Sequence, residues 1–364
     1  MWRTARSPGS GIFSRQAKAR PTASSRRSGT SGSIGCRLTA LDVLVVNAGS
    51  TSLKLDFVSP DETRRRIESY AGLDGGVEAV GHRIVHGGAR FKSPVVIDAE
   101  VEQEVADLAL IAPLHNTPAL KALEEARRVL PDVPHVAVFD TAFHSTIPDE
   151  AAIYPVPRRW TEEWGLRRFG FHGLSVQWSS ERVPAPRLVV CHLGGGCSVS
   201  AVRDGRSVDT SMGFTPLEGV PMAARSGSVD PGILLFLLRE QFLTLDELDH
   251  QLEHESGLTA LGGLEDPLGF GVYTHRIAAA VAAMASALGG LDALVFTAGV
   301  GENVPSVRAD ICRRLAFLGI ELDEAANEQA APDAEISAEG SAVRVVVVGA
   351  REEIVVARAV RALL

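Results

Sequence analysis

Three glycine-rich runs, each directly after an apolar stretch, restrict the possible folds of this sequence more than any other feature. They are NAGSTS (47–52), LGGGC (193–197) and TAGVGEN (297–303). Alternating apolar and polar segments follow the first two runs, so each predicts a β-hairpin with a glycine-rich tip. A helical pattern with Pro305 in its first turn follows the third run. Turns of both kinds allow backbone N–H groups to approach a phosphate closely.

None of these runs is a Walker motif, because the spacing Gly-x4-Gly-Lys-Ser/Thr is absent. Taken alone, the first run also fits an ordinary polar hairpin. The two hairpins, however, open the two halves of the chain and so form a repeating pattern. We therefore predict an α/β protein with a duplicated phosphate-binding fold.

Length and charge fit a protein of two domains. The chain has 364 residues, 45% of them hydrophobic, and a net charge of -9. Such a charge argues against general binding of nucleic acid or anionic membranes. The four cysteines show no paired metal-ligand spacing and are too few for a disulfide scaffold. No apolar run approaches the roughly 20 residues that span a bilayer, so we expect a cytoplasmic protein without membrane contact.

The first 40 residues differ in composition from the rest of the chain. They hold eight of the 36 Lys and Arg residues and none of the 45 Asp and Glu residues. The segment lacks hydrophobic periodicity, so we expect residues 1–40 to be a disordered Arg/Ser-rich extension. An organellar transit peptide is an alternative reading. A wrongly assigned start codon is another, since the chain has only four Lys beside 32 Arg.

Ten motifs, in order from about residue 43 to 358, carry a resemblance to a known family. They are NAGSTSLK, HRIVHGG, PLHNTPAL, VFDTAFH, RRFGFHGLS, HLGGG, SVDTSMGFTPLEG, RSGSVDP, FTAGVGEN and REEIVVAR. Together they resemble the acetokinase family of acetate and propionate kinases, within the superfamily of actin, sugar kinases and heat-shock chaperone ATPases. The resemblance implies two actin-like (ribonuclease H-like) βββαβαβα domains around a central cleft, which we place at 41–178 and 179–364.

The resemblance also implies an activity. Family members transfer a phosphoryl group reversibly between ATP and acetate, giving acetyl phosphate and ADP, by direct in-line transfer with Mg²⁺, for which Mn²⁺ can substitute. The implied partners are a short-chain carboxylate, a nucleotide and a second copy of the chain in a homodimer. Transfer of this kind needs positioning and charge compensation, because negative charge spreads over three equatorial oxygens in the transition state.

Three catalytic residues follow from matching the motifs. Arg225 matches an arginine that stabilises the transferring phosphoryl group, and His172 matches a transition-state histidine that needs only to donate a hydrogen bond. Asp140 matches the catalytic aspartate. Because a carboxylate substrate has no proton to lose, Asp140 is expected to orient an arginine or hold water on Mg²⁺ rather than act as a base. Without the resemblance, His172 would be read as a packed core histidine.

The acid-binding residues are matched in the same way. Arg83 corresponds to the carboxylate-binding arginine, and a guanidinium fork suits that role; a surface arginine is the alternative. The apolar pocket for the acyl group is expected from Val85, Leu114, Phe171 and Pro216. One methylene changes binding in such a pocket by only about 1 to 3 kcal/mol, so acetate and propionate stay undistinguished. His115 is a less specific candidate that would organise the site.

Nucleotide and metal ligands complete the matched set. The expected nucleotide-binding residues are Lys54, His192, Leu193, Gly194, Gly195, Gly196, Gly299, Val300, Gly301, Glu302 and Asn303. The expected Mg²⁺ ligands are Asn47 and Glu352, since Mg²⁺ takes few protein oxygens and keeps several waters. Glu353 is an alternative to Glu352, and a surface Glu pair at a helix start is a further reading.

Some positions depart from the family pattern. The segment between His172 and the next strand is short, Gly195 replaces an Asn, and an Asp-x-Arg nucleotide contact is replaced by Leu264, Glu265, Asp266 and Pro267. These changes leave two alternatives open beside acetate kinase. One is a kinase for propionate or another short-chain acid, or one with an altered phosphoryl donor. The other is a non-catalytic regulatory protein on a kinase scaffold.

Overall fold

The computed structural model describes residues 40–49, 53–73, 75–109 and 113–364, with the side chains of 113–115 excepted. The expected extension therefore lies outside the described residues, apart from residue 40. The first half forms a six-stranded sheet in the order β3-β2-β1-β4-β6-β5. Its strands are β1 Val43–Ala48, β2 Leu53–Val58, β3 Arg64–Ile67, β4 Ala79–Ile84, β5 Val95–Val96 and β6 His135–Phe139.

The second half repeats this topology. Its sheet runs β11-β12-β10-β7-β8-β9. The strands are β7 Arg187–Leu193, β8 Cys197–Arg203, β9 Arg206–Thr210, β10 Ala293–Thr297, β11 Ala334–Glu335 and β12 Arg344–Val347. In each sheet the first three strands form an antiparallel meander and the next two core strands are parallel to the first. The predicted duplicated actin-like α/β fold is confirmed.

Helices connect the strands and cover the sheets. They are α1 Ala99–Leu108, α2 Pro113–Val129, α3 Asp149–Ala152, α4 Arg158–Glu162, α5 Gly173–Arg182, α6 Pro231–Arg239, α7 Leu245–His254, α8 Gly257–Ala260, α9 Pro267–Leu288, α10 Ala298–Asn303, α11 Pro305–Arg314, α12 Glu324–Glu328 and α13 Glu352–Leu363. Short 3₁₀ turns lie at Tyr70–Gly72, Ala142–Thr146 and Ala316–Leu318.

Two helices join the halves. The last helix, α13, packs on β1 and β4 of the first sheet and on α5, which in turn packs on β7 of the second. One apolar cluster accordingly contains side chains from both sheets together with Trp178 of α5 and Val356 of α13. The C-terminal end of the chain thus returns to the first sheet and holds the two halves together. The boundary between residues 178 and 179 stays a prediction.

The length and apolar composition of helix α9 differ from what we expected, namely that no apolar stretch approaches membrane-spanning length. Its 22 residues are long and apolar enough, by length and composition, to cross a bilayer. The same test is passed by core helices of globular proteins, and α9 packs against β7 and β8 with Tyr273, Ile277 and Val281 buried. An apolar composition of this kind fits a helix that is partly buried against a sheet.

The predicted hairpins are present. β1 pairs with β2 and β7 with β8 in antiparallel register, and Gly194 to Gly196 form the tip of the second hairpin. The third glycine-rich run differs, because helix α10 begins at Ala298 within it, directly after β10. The strand therefore runs into a helix N-terminus without an intervening loop.

Candidate active site

The parallel strands of the first sheet bring three polar side chains together at one edge. Asn47 on β1 lies directly beside Arg83 on β4, and Asp140 follows the end of β6. Arg83 donates to both oxygens of Asp140, from Nε to Oδ1 at 3.1 Å and from Nη2 to Oδ2 at 2.5 Å. Its Nη1 donates to Asn47 Oδ1 at 3.1 Å, and Glu352 Oε2 lies 3.3 Å from Nε. Four residues from four elements thus form one charged cluster.

Burial and charge shift the pKa values in this cluster. Burial acts to lower the pKa of Arg83, but the charges of Asp140 and Glu352 outweigh it and raise that pKa. Burial raises the pKa of Asp140, the charge of Glu352 adds to this increase, and Arg83 opposes it. Because Asp140 is fully buried and makes a two-point contact with Arg83, its carboxyl group holds the guanidinium in one orientation.

His172 lies at the start of α5 in a strained backbone conformation. Its φ of 60° places it in the left-handed region, which non-glycine residues seldom adopt. Gly173 follows it, and a Cβ at that position would lie 2.0 Å from the Asp140 carbonyl oxygen. His144 supports the same turn, with one ring nitrogen 2.9 Å from the Phe171 carbonyl oxygen. The local sequence therefore fixes His172 beside Asp140.

Two histidines stack at the floor of the cleft. The rings of His172 and His192 are 4.0 Å apart, and their Nδ1 atoms lie 3.0 Å and 2.8 Å from the hydroxyls of Ser198 and Ser175. Burial lowers the pKa of His172 well below its usual range, with His192 and Arg83 adding to the effect. Burial likewise lowers the pKa of His192 to about 4. Both rings are therefore neutral at pH 7.

Arg225 approaches His172 from the second half of the chain. A Cβ added to Gly196 would lie 2.9 Å from Arg225 Nη2 and 3.2 Å from His172 Nε2. Arg225 donates from Nη1 to the Pro216 carbonyl at 2.7 Å, and Glu253 Oε2 lies 3.9 Å from its Nε. Burial lowers the pKa of Arg225, while Glu253 acts in the opposite direction. Gly196 thus marks the point where the two predicted catalytic donors converge.

A cavity of about 430 Å³ lies between the two sheets beside these residues. Ten of the predicted site residues line it: Asn47, Lys54, Arg83, His172, His192, Gly194, Gly195, Gly299, Glu302 and Glu352. Asp140 and Arg225 are outside its lining: Asp140 pairs with the lining residue Arg83, and Arg225 lies near the lining residue His172. The sequence therefore placed residues from both halves of the chain at one cleft.

The other predicted nucleotide residues have different surroundings. Leu193 and Gly301 are buried, Val300 packs on the core of the second half, and Asn303 donates to the Gly299 carbonyl within α10. Glu302 Oε1 accepts hydrogen bonds from the backbone of Ala298 and Ala350, both at 2.9 Å. Its carboxylate therefore connects α10 to the segment that leads into α13.

The predicted acyl pocket is described in part. Val85 and Phe171 are buried in the same apolar cluster. Pro216 is also buried, and its carbonyl oxygen accepts the hydrogen bond from Arg225. The side chains of Leu114 and His115 lie outside the described residues. His86, beside Val85, packs edge-on against Phe169 and Phe171. The acid-binding role of these residues stays a prediction.

The proposed metal ligands provide the right kind of atoms. Asn47 and Glu352 both line the cavity, where each also contacts Arg83, and Mg²⁺ uses one or two such side-chain oxygens together with water and phosphate. Glu353 Oε1 instead accepts from Arg64 Nη1 at 2.5 Å. Among the described residues there is no group of three or more His, Cys, Asp or Glu side chains that could hold a metal alone. The donor set therefore fits an ion that is shared with a phosphate ligand.

Several residues of the site were not identified from sequence. Glu253, which lies near Arg225, comes from α7, and no sequence pattern links the two positions. Asp56, Arg64 and Arg66 also line the cavity. The alternation in LKLDFV could have placed Asp56 on the same face as Lys54, because residues two apart share a face of a strand.

Two sheets of one topology around a cleft, with glycine-rich turns and convergent arginines, define a phosphotransferase of the duplicated actin-like class. The sequence profile of the acetokinase family matches residues 66–358. An acetate kinase from Nostoc punctiforme is 46% identical over 306 residues, 78% of this chain and 75% of the relative. The chain belongs to the acetokinase family.

Solved structures agree with this assignment. A propionate kinase from Francisella tularensis superposes with a TM-score of 0.78 and 31% identity, over 88% of this chain and 98% of that one. An acetate kinase from Porphyromonas gingivalis has a TM-score of 0.76 and 32% identity, over 87% and 98% of the two chains.

Proposed function

We propose that this protein is an acetate kinase that transfers a phosphoryl group reversibly between ATP and acetate, with Mg²⁺, by direct in-line transfer. The observation that carries the proposal is a cavity lined by Arg83, His172 and glycine-rich turns, with Arg225 and His172 both beside Gly196. Cationic and neutral donors around one point compensate the charge that spreads over a transferring phosphoryl group.

Each residue has a role that its contacts support. Arg83, held by Asp140, binds the carboxylate and keeps its oxygen directed at the phosphorus. His172 is neutral, and Ser198 can donate to its Nδ1, so that Nε2–H is free to donate to an equatorial oxygen near Gly196. Arg225 brings a positive charge to the same point. Asp140 is a positioning residue for Arg83.

The metal has a defined place in this scheme. Asn47 and Glu352 would hold Mg²⁺, which supplies charge compensation between the phosphates when it is bound. Glu302 holds the segment before α13 and so helps to fix Glu352. Mn²⁺ has the same preference for oxygen ligands and is expected to substitute.

The test is acyl phosphate formation, trapped with hydroxylamine, by purified protein with ATP, Mg²⁺ and a panel of short-chain acids. We expect turnover with acetate and its loss when Mg²⁺ is chelated. If hydroxamate does not form with any of the acids, the result contradicts the proposal and favours a non-catalytic scaffold. A higher kcat/KM for propionate would favour the second candidate, which the likeness to a propionate kinase structure supports.

We also propose that the protein is a cytoplasmic homodimer. Helix α6 and the residues after it form an apolar surface, with side chains about half to two thirds exposed: Ile233 51%, Leu235 51%, Phe236 54%, Phe242 65% and Leu245 69%. Contiguous apolar patches of this kind mark interaction sites. A second copy is the occupant that we propose, because two identical apolar faces can cover each other across a twofold axis. Cys191, Cys197 and Cys312 are buried free thiols, as a reducing cytoplasm permits.

Light scattering after size exclusion tests the dimer. The variant F236E/L245E should elute at half the mass of the wild-type protein, while E240Q on the same surface should not change it. A wild-type monomer at micromolar concentration would contradict this proposal and leave the kinase activity open.

A further inference from the structure

One wall of the cavity carries two arginines, Arg64 and Arg66, to which the proposed transfer reaction gives no role. It consists of Lys54 and Asp56 on β2 and of Arg64 and Arg66 on β3. In the antiparallel register Asp56 lies opposite Arg66, and Val58 lies opposite Arg64, so these side chains share one face of the sheet. That face is covered by α13 near β1 and β4, and it becomes charged where it reaches the cavity.

A buried carboxylate organises this wall. The side chain of Asp56 is 3% exposed, and its Oδ1 accepts from Arg66 Nε at 2.7 Å. Arg64 Nε lies 3.9 Å from the same oxygen, while Arg64 Nη1 donates to Glu353 Oε1 at 2.5 Å. Since a buried carboxylate is costly without cationic partners, Asp56 holds the two guanidinium groups side by side.

Both arginines line the cavity and keep N–H donors beyond those in their recorded hydrogen bonds. A guanidinium group has five N–H donors. Among the described residues, Arg66 makes its hydrogen bond through Nε alone and Arg64 through Nη1 alone. Their side chains are 48% and 43% exposed. The remaining nitrogens therefore form a double fork at the cavity wall.

The charge on this wall favours an anion. Lys54, Arg64 and Arg66 bring three positive charges, and Asp56 and Glu353 bring two negative charges that are already paired with the arginines. Forked guanidinium groups bind phosphate through paired, charge-assisted hydrogen bonds. A cation would instead meet the positive charges of two arginines and Lys54 on the same wall.

We propose that Arg64 and Arg66 form an oxyanion subsite that binds a phosphate group beside the site of transfer. The phosphate group belongs either to free inorganic phosphate or to the end of a longer phosphate chain in the cavity. The subsite rests on the proposed function, because it shares the cavity with Gly194, Gly195 and Gly299. The subsite adds a phosphate-binding position on the side of the cavity that the first sheet forms.

Calorimetric titration of the full chain at constant ionic strength tests the subsite with two probes. Inorganic phosphate is added to protein saturated with ADP and Mg²⁺, and inorganic tripolyphosphate is added without nucleotide. In the variant R64Q/R66Q we expect the affinity for at least one probe to fall tenfold or more. A loss of affinity for phosphate identifies the free anion as the occupant. A loss of affinity for tripolyphosphate identifies the end of a phosphate chain as the occupant.

Arg65 provides the matched control. It lies between the two arginines on β3 but on the opposite face, with its guanidinium 5.4 Å from the Phe57 ring centre. R65Q removes the same charge and should leave both affinities within twofold. Because the double variant leaves Asp56 buried without partners, D56N/R64Q/R66Q is measured as well and should show the same loss.

The proposal is overturned if neither probe loses affinity in the double and triple variants, or if R65Q loses as much. Hydroxamate formation is measured on the same preparations. Binding does not need turnover, so wild-type protein without hydroxamate formation would count against the kinase proposal while the comparison of affinities still decides on the subsite.

Discussion

At Arg83, one guanidinium group satisfies acceptors from three separate parts of the chain. Asn47, Asp140 and Glu352 are far apart in sequence, and each of them contacts this single side chain. The ends of parallel strands lie at one edge of a sheet, which explains why Asn47, Arg83 and Asp140 meet. The cation therefore holds the cluster together as well as facing the cavity.

We expect Arg83→Ala and Arg225→Ala each to lower kcat/KM on the order of 100-fold or more, because each removes a charge that faces the transfer site. Arg225→Lys should recover only part of the activity. A planar guanidinium fork can donate to the Pro216 carbonyl and to the phosphoryl group at the same time, and an ammonium group cannot reproduce that geometry. Steady-state kinetics with ATP and acetate provide the measurement. Turnover near that of the wild-type protein in either alanine variant would remove that arginine from the mechanism.

A second prediction concerns the glycine after His172. In Gly173→Ala the new Cβ would lie 2.0 Å from the Asp140 carbonyl oxygen, and backbone cannot move aside cheaply. We expect a loss in the free energy of unfolding of several kcal/mol, on the order of the largest single-residue effects. Gly195→Ala is the control, because no atom lies within 4 Å of its added Cβ, and its effect should stay under about 1 kcal/mol. Chemical denaturation gives the free energy of unfolding of both variants, and equal values for the two would refute the packing argument.

At the scale of elements, the sequence predicted what local patterns determine. Alternation in LKLDFV and the buried run of β7 identify strands, and their glycine-rich connections identify hairpins. It missed that α10 begins inside the third glycine-rich run, since Gly is a weak helix former and tertiary contacts decide. Those contacts include Glu302, whose carboxylate binds the backbone of Ala298 and Ala350. A pairing across 48 residues leaves no periodic signal in one sequence.

The segment before α9 yields a prediction about the nucleotide. Asp266 caps α9 by accepting from the backbone of Leu268 and Gly269, and Pro267 is the first residue of the helix. The segment therefore starts a helix where the resemblance led us to expect a base contact. We expect GTP and ITP to have kcat/KM values within about tenfold of ATP, or roughly 1.4 kcal/mol. An ATP preference of a hundredfold or more would show that other residues recognise the base.

For the whole molecule, the two sheets repeat one strand order, but their polar ends differ. The first sheet supplies the polar and charged residues Asn47, Arg83 and Asp140, while the second supplies His192 and the glycines of its hairpin tip. Duplication was readable from the repeated hairpins. The sequence did not predict that α13 joins the two halves, because an apolar helix face indicates burial but does not identify the sheet that it packs against.

Burial of histidines throughout the molecule leads to a prediction about acid stability. Burial lowers the pKa values of His86, His144 and His192 to about 4. It also lowers the pKa values of His82 and His172 well below 6.5. In the unfolded chain these groups take up protons near pH 6.5, while the folded protein keeps them neutral. Their contribution to stability is therefore complete above pH 6.5 and is lost as the pH falls toward 4.

We expect the free energy of unfolding to decrease steadily from pH 6.5 to 4.5 in urea titrations at constant ionic strength. Three carboxyl groups with raised pKa values oppose this trend, because such a group favours the folded state at lower pH, but they are fewer than the histidines with lowered pKa values; they are Asp140, Asp209 and Glu253. His86→Phe keeps a ring among Phe169, Phe171 and Phe214 and should reduce the slope by up to about 1.4 kcal/mol per pH unit, the value for one proton. A stability that does not change over this range, or a slope unaltered in His86→Phe, would show that the buried histidines do not control acid unfolding.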